Sequence, residues 1–207
     1  MNRRACLLPT AALLLLTACG GGDETRGIAG VGAGSATPAS PSATSLAGRP
    51  EIELPSDLTY TFEWPRTGDK VKDAVLEDGE QSIKAVDLAI VNQDALDEAY
   101  LFYYEGEAAA QTQKFVQAYV NAKARTTGVF RYYAATVALN DSTDASLVYC
   151  EDQSHAYDMY LKPKRINRTA VTNNSYVLYN TQLRKNDKGV WVVEKLFSQR
   201  GNAKCRP

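Results

Sequence analysis

Few side chains in this chain of 207 residues have the types and spacing to do chemistry. Asp152 stands at the end of an alternating apolar run, and Tyr104, Tyr133, Tyr149 and Tyr179 fall on segments that a compact fold would bring near it. A carboxylate in an apolar pocket beside a phenol is what a proton-transferring isomerase or dehydratase needs, the carboxylate taking the proton and the phenol stabilising the enolate. On that reading Asp152 and Tyr149 are the catalytic pair. The ordinary reading is that the tyrosine rings pack in a core with their hydroxyls reaching water or backbone. Glu151 and Asp152 then satisfy turn amides or pair with Arg184. The ordinary reading is preferred, and no catalytic residue is expected.

Other chemistries lack their parts. His155 is the single histidine, at the start of a polar stretch where an exposed ring is the simplest expectation. Without it no Ser-His-Asp or Cys-His arrangement can be assembled. Neither His-x-x-x-His, Cys-x-x-Cys nor calcium-loop spacing occurs, so no metal site is expected. No glycine-rich turn joins a strand to a helix, which leaves no phosphate cradle, and no cofactor is expected.

The four cysteines divide by position. Arg3 and Arg4 precede an apolar run, Ala5 to Leu16, that is too short for a permanent span of a hydrocarbon core about 30 Å thick. Leu16-Thr17-Ala18-Cys19 then resembles the lipobox read by lipoprotein-processing enzymes. The resemblance implies removal of residues 1–18, taking Cys6 with them, and a diacylglyceryl thioether on Cys19. Two acyl chains at about 0.8 kcal/mol per buried methylene give lasting attachment, so the expected location is the extracytoplasmic face of the cell membrane. Cys150 and Cys205 remain, and outside the cytoplasm such a pair usually forms a disulfide. Closing a loop of about 55 residues would remove about 4 kcal/mol of unfolded-chain entropy.

Residues 19–54 are expected to form a flexible tether of Gly, Ala, Ser, Thr and Pro with no aromatic side chain, too poor in apolar surface to offset its ordering entropy. Coil scaling gives it a reach of roughly 30 Å. Residues 55–207 suit one domain. Removal of residues 1–18 takes two arginines and no acid, leaving 21 basic against 24 acidic residues. That mildly acidic balance argues against nucleic acid, whose phosphates need a positive footprint.

Leu76, Gly79, Ile83, Val86 and Ile90 recur at helical steps and predict a helix from about Lys70 to Asn92. Asp94 or Asp97 is placed to cap a short second helix carrying Leu96, Tyr100, Leu101 and Tyr104. A third, from about Glu107 to Thr126, carries Ala108, Thr112, Phe115, Val116, Tyr119 and Val120 and stops at Gly128. The period then changes to two, with β-branched and aromatic residues. Val129 to Leu139 with Ala145 to Asp152, and Asn174 to Arg184 with Val190 to Ser198, read as two hairpins. His155 to Val171 reads as a polar loop between them. Thr59 to Pro65, with Phe62 and Trp64, reads as an extended segment docked on the domain.

Three helices followed by a four-stranded antiparallel sheet make an α+β domain, helices on one face of a curved sheet. This order resembles the NTF2-like (cystatin-like α+β cone) fold. Tyr149-Cys150-Glu151-Asp152-Gln153-Ser154, Ser175-Tyr176-Val177-Leu178-Tyr179 and the run Leu183 to Trp191 are similar to segments of small secreted lipoproteins of high-GC Gram-positive bacteria. The likeness covers about Tyr60 to Cys205 and implies a family, not a chemistry, because the fold hosts enzymes and binding modules alike. The preferred expectation is a membrane-anchored, non-catalytic domain binding a small ligand or an envelope protein, with Tyr104, Tyr133, Tyr149, Asp152 and Tyr179 as pocket candidates. A small isomerase or dehydratase, and an accessory subunit of a transport or secretion complex, stay open. So does a homodimer through the sheet face.

Overall fold

The computed structural model describes residues 48–207. The expected signal, Cys19 and the expected tether up to residue 47 lie outside the described residues. From there the elements run β1 (Leu58–Phe62), α1 (Lys70–Asn92), α2 (Glu98–Tyr103), α3 (Gly106–Ala122), β2 (Ala124–Leu139), β3 (Asp144–Leu161), β4 (Lys164–Asn167), β5 (Tyr176–Lys185) and β6 (Trp191–Arg200). The class is α+β, as expected, and the sheet is mixed and six-stranded.

Local chemistry sets the helix ends. The Asp69 carboxylate accepts the Val71 and Lys72 N–H groups at 2.8 and 3.2 Å and starts α1. Gln93 ends it in the left-handed region, its N–H turned back on α1. Asp97, not Asp94, caps α2 through the Ala99 N–H at 2.9 Å. Leu96 and Leu101 are exposed, while Ala99, Tyr100 and Tyr103 are buried. A six-residue helix turns only a narrow face inward, and Tyr103 falls on it. Lys123, also left-handed, ends α3 four residues earlier than the glycine-based expectation.

Gly128 lies inside β2 and does another job. Its φ is +98°, and a Cβ there would come 2.2 Å from the His155 carbonyl oxygen, so the strand crossing needs glycine. The register of β2 on β3 shifts just after it and again between Tyr133 and Thr136. Such bulges bend a strand. The sheet order is β1-β2-β3-β5-β6, with β4 paired to the far end of β3.

Three expectations change here. The segment with Phe62 is a strand, parallel to β2 from Leu58 against Gly128 to Phe62 against Tyr132. The polar stretch after Asp152 continues β3 to Leu161 and returns as β4, because its polar residues alternate sides and one side is solvated. The packed region also takes in residues before Pro55. Arg49 pairs with the buried carboxylate of Asp78, which accepts the Trp191 N–H at 2.8 Å as well, and Ile52 and Leu54 pack against the core. A charge on the inner side of α1 needs a partner, and Arg49 supplies it.

The core between α1, α2 and the sheet holds Trp191, Tyr100, Tyr103, Ile90 and Leu147. Gly79 lets it close: a Cβ there would sit 2.7 Å from Leu147 Cδ2.

Candidate functional site

The concave face of the sheet and the helices enclose a cavity of about 840 Å³. Ile83, Val86 and Asp87 of α1, Tyr104, Thr112 and Tyr119 on the helical side, and inward side chains of β2, β3, β5 and β6 line it. Exposed lining residues, among them Gln111 and Phe115 of α3 and Thr169, Ala170 and Asn174 after β4, mark the mouth. Arg200 stands at that rim, donating to the Gln153 side chain at 2.7 Å and to the Asn174 carbonyl at 3.1 Å.

Two carboxyls lie at depth. Asp87, on the face of α1 turned to the sheet, accepts the Tyr60 hydroxyl at 2.6 Å and the Thr126 hydroxyl at 2.7 Å. Glu151 of β3 accepts the Tyr132 hydroxyl at 3.0 Å and the Gln153 amide at 2.8 Å, and the Tyr179 hydroxyl lies beside it. Burial pushes the Glu151 carboxyl up to about 7, against the pull of its tyrosine partners, and the nearby Asp87 charge adds to the rise. Burial raises Asp87 as well, opposed by its hydrogen bonds to Tyr60 and Thr126. A third acid, Asp158, accepts the Tyr119 hydroxyl at 2.9 Å.

The walls are aromatic. Tyr149 and Tyr179 stack with ring centroids 5.1 Å apart, and Phe130 and Tyr132 stand roughly parallel 6.5 Å apart. The Tyr149 side chain is buried and lines the cavity, and burial raises its hydroxyl well above the ordinary phenol range. Burial pushes the Tyr104 hydroxyl up to about 12, with Ser82 beside it.

Of the candidates named from sequence, Tyr104, Tyr149 and Tyr179 are brought together in the cavity, and Asp152 and Tyr133 are not. Both lie on the convex face, because side chains alternate along a strand and Asp152 follows inward-facing Glu151. Asp152 accepts the Ser154 N–H at 2.8 Å and stands 3.9 Å from Arg131. The Tyr133 hydroxyl donates to the Cys205 carbonyl, and Arg131 lies over its ring at 4.3 Å. Cys150 and Cys205 form a disulfide on this same face, Cα atoms 5.4 Å apart. Arg184 pairs with Glu105 and Glu194 rather than with either β3 acid. His155 is exposed. The sequence did not single out Asp87 and Glu151 as cavity acids; the signal that could have found Asp87 is its place four residues after Ile83 and three before Ile90 on one helix face.

No family model and no curated protein sequence matches the chain. Among solved structures it is similar to a ketosteroid isomerase-like protein from Erwinia carotovora atroseptica, at 8% identity over 64% of this chain and 97% of that one, TM-score 0.44. A putative scytalone dehydratase from Novosphingobium aromaticivorans aligns at 12% identity over 62% and 91%, TM-score 0.41. An NTF-2 like protein of unknown function from Shewanella oneidensis aligns at 14% identity over 60% and 98%, TM-score 0.38. These likenesses concern the outline of the fold alone.

Proposed function

We infer that the chain is an extracytoplasmic lipoprotein, anchored through Cys19, whose folded domain binds a small molecule in its cone cavity without transforming it. The anchor rests on the Leu16 to Cys19 motif. The binding reading rests on one observation: a cavity of about 840 Å³, the size of a small-molecule site, has two buried carboxyls, Asp87 and Glu151, and stacked tyrosine rings in its wall. The Glu151 and Asp87 carboxyls each already accept two donors, which makes them fixed polar landmarks for a ligand. Native mass spectrometry of the gently extracted full chain should find a small molecule retained in the protein. Recovery of only bare protein, with no thermal shift from any member of a broad metabolite panel, would sink the reading. Mass measurement of the same sample tests the anchor, since two acyl chains on an N-terminal Cys19 give a defined increment.

A second reading has its own observation. The Glu151 carboxyl, near 7 with the Tyr132 phenol 3.0 Å away, is suited to shuttling a proton at neutral pH. On this reading Glu151 takes over the role that the sequence suggested for Asp152. Glu151→Gln would then abolish turnover of a retained ligand while leaving it bound; unchanged turnover would exclude Glu151 as the base.

A further inference from the structure

If the cavity is a binding site, its wall chemistry also selects what enters. We propose that its ligand is an organic ammonium ion with an aromatic or aliphatic body, the cationic head meeting Glu151 and Asp87 and the body lying against the Tyr149 and Tyr179 rings.

Charge comes first. Asp87 and Glu151 are both buried at the inner end, and among the described lining residues the single basic side chain is Arg200, held at the rim by Gln153 and Asn174. A carboxylate or phosphate ligand would meet like charge at depth. A cation would supply the countercharge that two buried carboxylates lack. Ring geometry points the same way: the Tyr149 and Tyr179 rings stack within 12° of parallel, a wall that attracts cations through the ring quadrupole and accepts an apolar body equally well. Metal ions fit less well, since no group of three ligating side chains occurs among the described residues.

Without a bound cation the cavity need not carry both charges. Glu151 faces Asp87 from α1, Tyr60 from β1, Tyr132 from β2, Tyr149 on its own strand and Tyr179 from β5, with Arg200 of β6 further out. In those surroundings burial pushes its carboxyl up to about 7. Ammonium binding would favour the ionised form and release a proton, so affinity should rise with pH.

Calorimetric titration of the full chain in detergent with phenethylammonium, phenethyl alcohol and phenylacetate tests this, since the three share one body and differ in the head. The ammonium should bind at least about tenfold tighter than the alcohol and the acetate weakest, with ammonium affinity rising about tenfold between roughly pH 5.5 and 8. Glu151→Gln should bring ammonium and alcohol to within about twofold and flatten the pH profile. Alcohol binding as tight as ammonium overturns the proposal and leaves the cavity reading standing. No binding by any of the three at millimolar concentration overturns both. Should Glu151→Gln fail to fold, the wild-type profile decides: an affinity independent of pH overturns the proposal.

Discussion

Glu151 and Asp152 are adjacent acids on one strand, and the two faces of the sheet make different groups of them. On the concave side Glu151 is buried among tyrosines, with its carboxyl pushed up to about 7. On the convex side Asp152 keeps partial contact with water, 3.9 Å from an Arg131 that is itself shared with Glu63. Arg131 holds the exposed Glu63 carboxyl below its usual range. A carboxylate is therefore destabilised when ionised at Glu151 on the concave face, and supported at the exposed Glu63 beside Arg131. Covalent support follows this division too: the disulfide and the short turn Ala203–Cys205 that it holds lie on the convex side. The concave side stays hollow.

The largest effect should come from the convex face. Replacing Cys150 and Cys205 by serine should lower unfolding stability by about 4 kcal/mol through the loop it opens, read by denaturant melts, while ligand affinity well below the transition stays within about twofold. A large loss of affinity in the still-folded protein would show that the two faces are not independent.

Next comes pH. A carboxyl whose pKa rises on folding binds more protons in the native state between its two values, so stability falls as pH rises through that window. For Glu151 the window runs from about 4.5 to about 7. Its stabilising share is complete below the lower value and lost above the upper one, on the order of 3 kcal/mol. Asp87 acts in the same direction. The domain should therefore be more stable near pH 5 than near pH 8, and Glu151→Gln should remove most of that slope; an unchanged slope in the variant would assign it elsewhere. Glu63 works the opposite way, favouring the fold as pH rises through a lower range.

Tyr132→Phe is expected to cost about 2 kcal/mol at pH 8, the worth of a buried hydrogen bond to a charged acceptor, and to move the Glu151 titration upward. Asp152→Asn should change stability by no more than about 0.5 kcal/mol, as for a partly exposed ion pair. If the two substitutions had equal effects, the contrast between the faces would fail.

Much of the frame was legible. The stripe Leu76 to Ile90 placed α1 at its observed ends, because a long amphipathic helix repeats its signal many times. The hairpin turns at Asn140 to Asp144 and Lys185 to Gly189 were equally plain. The continuation of β3 past Asp152 was not, since a strand solvated on one side and carrying Ser154, His155 and Asp158 reads as polar loop. β1 escaped notice as a strand because its partner, β2, lies more than sixty residues away, and parallel pairing leaves no local turn signature.

By itself the sequence determined the Leu16 to Cys19 motif, the spare cysteine pair and the helical stripes, all of them properties of residue type and short spacing. Only the tertiary structure decided which acid matters. Strand alternation makes Glu151 and Asp152 face opposite ways, but which of them faces inward depends on register, set by β-bulges near Gly128 and by helices distant in the chain. A shift of one residue would have exchanged them.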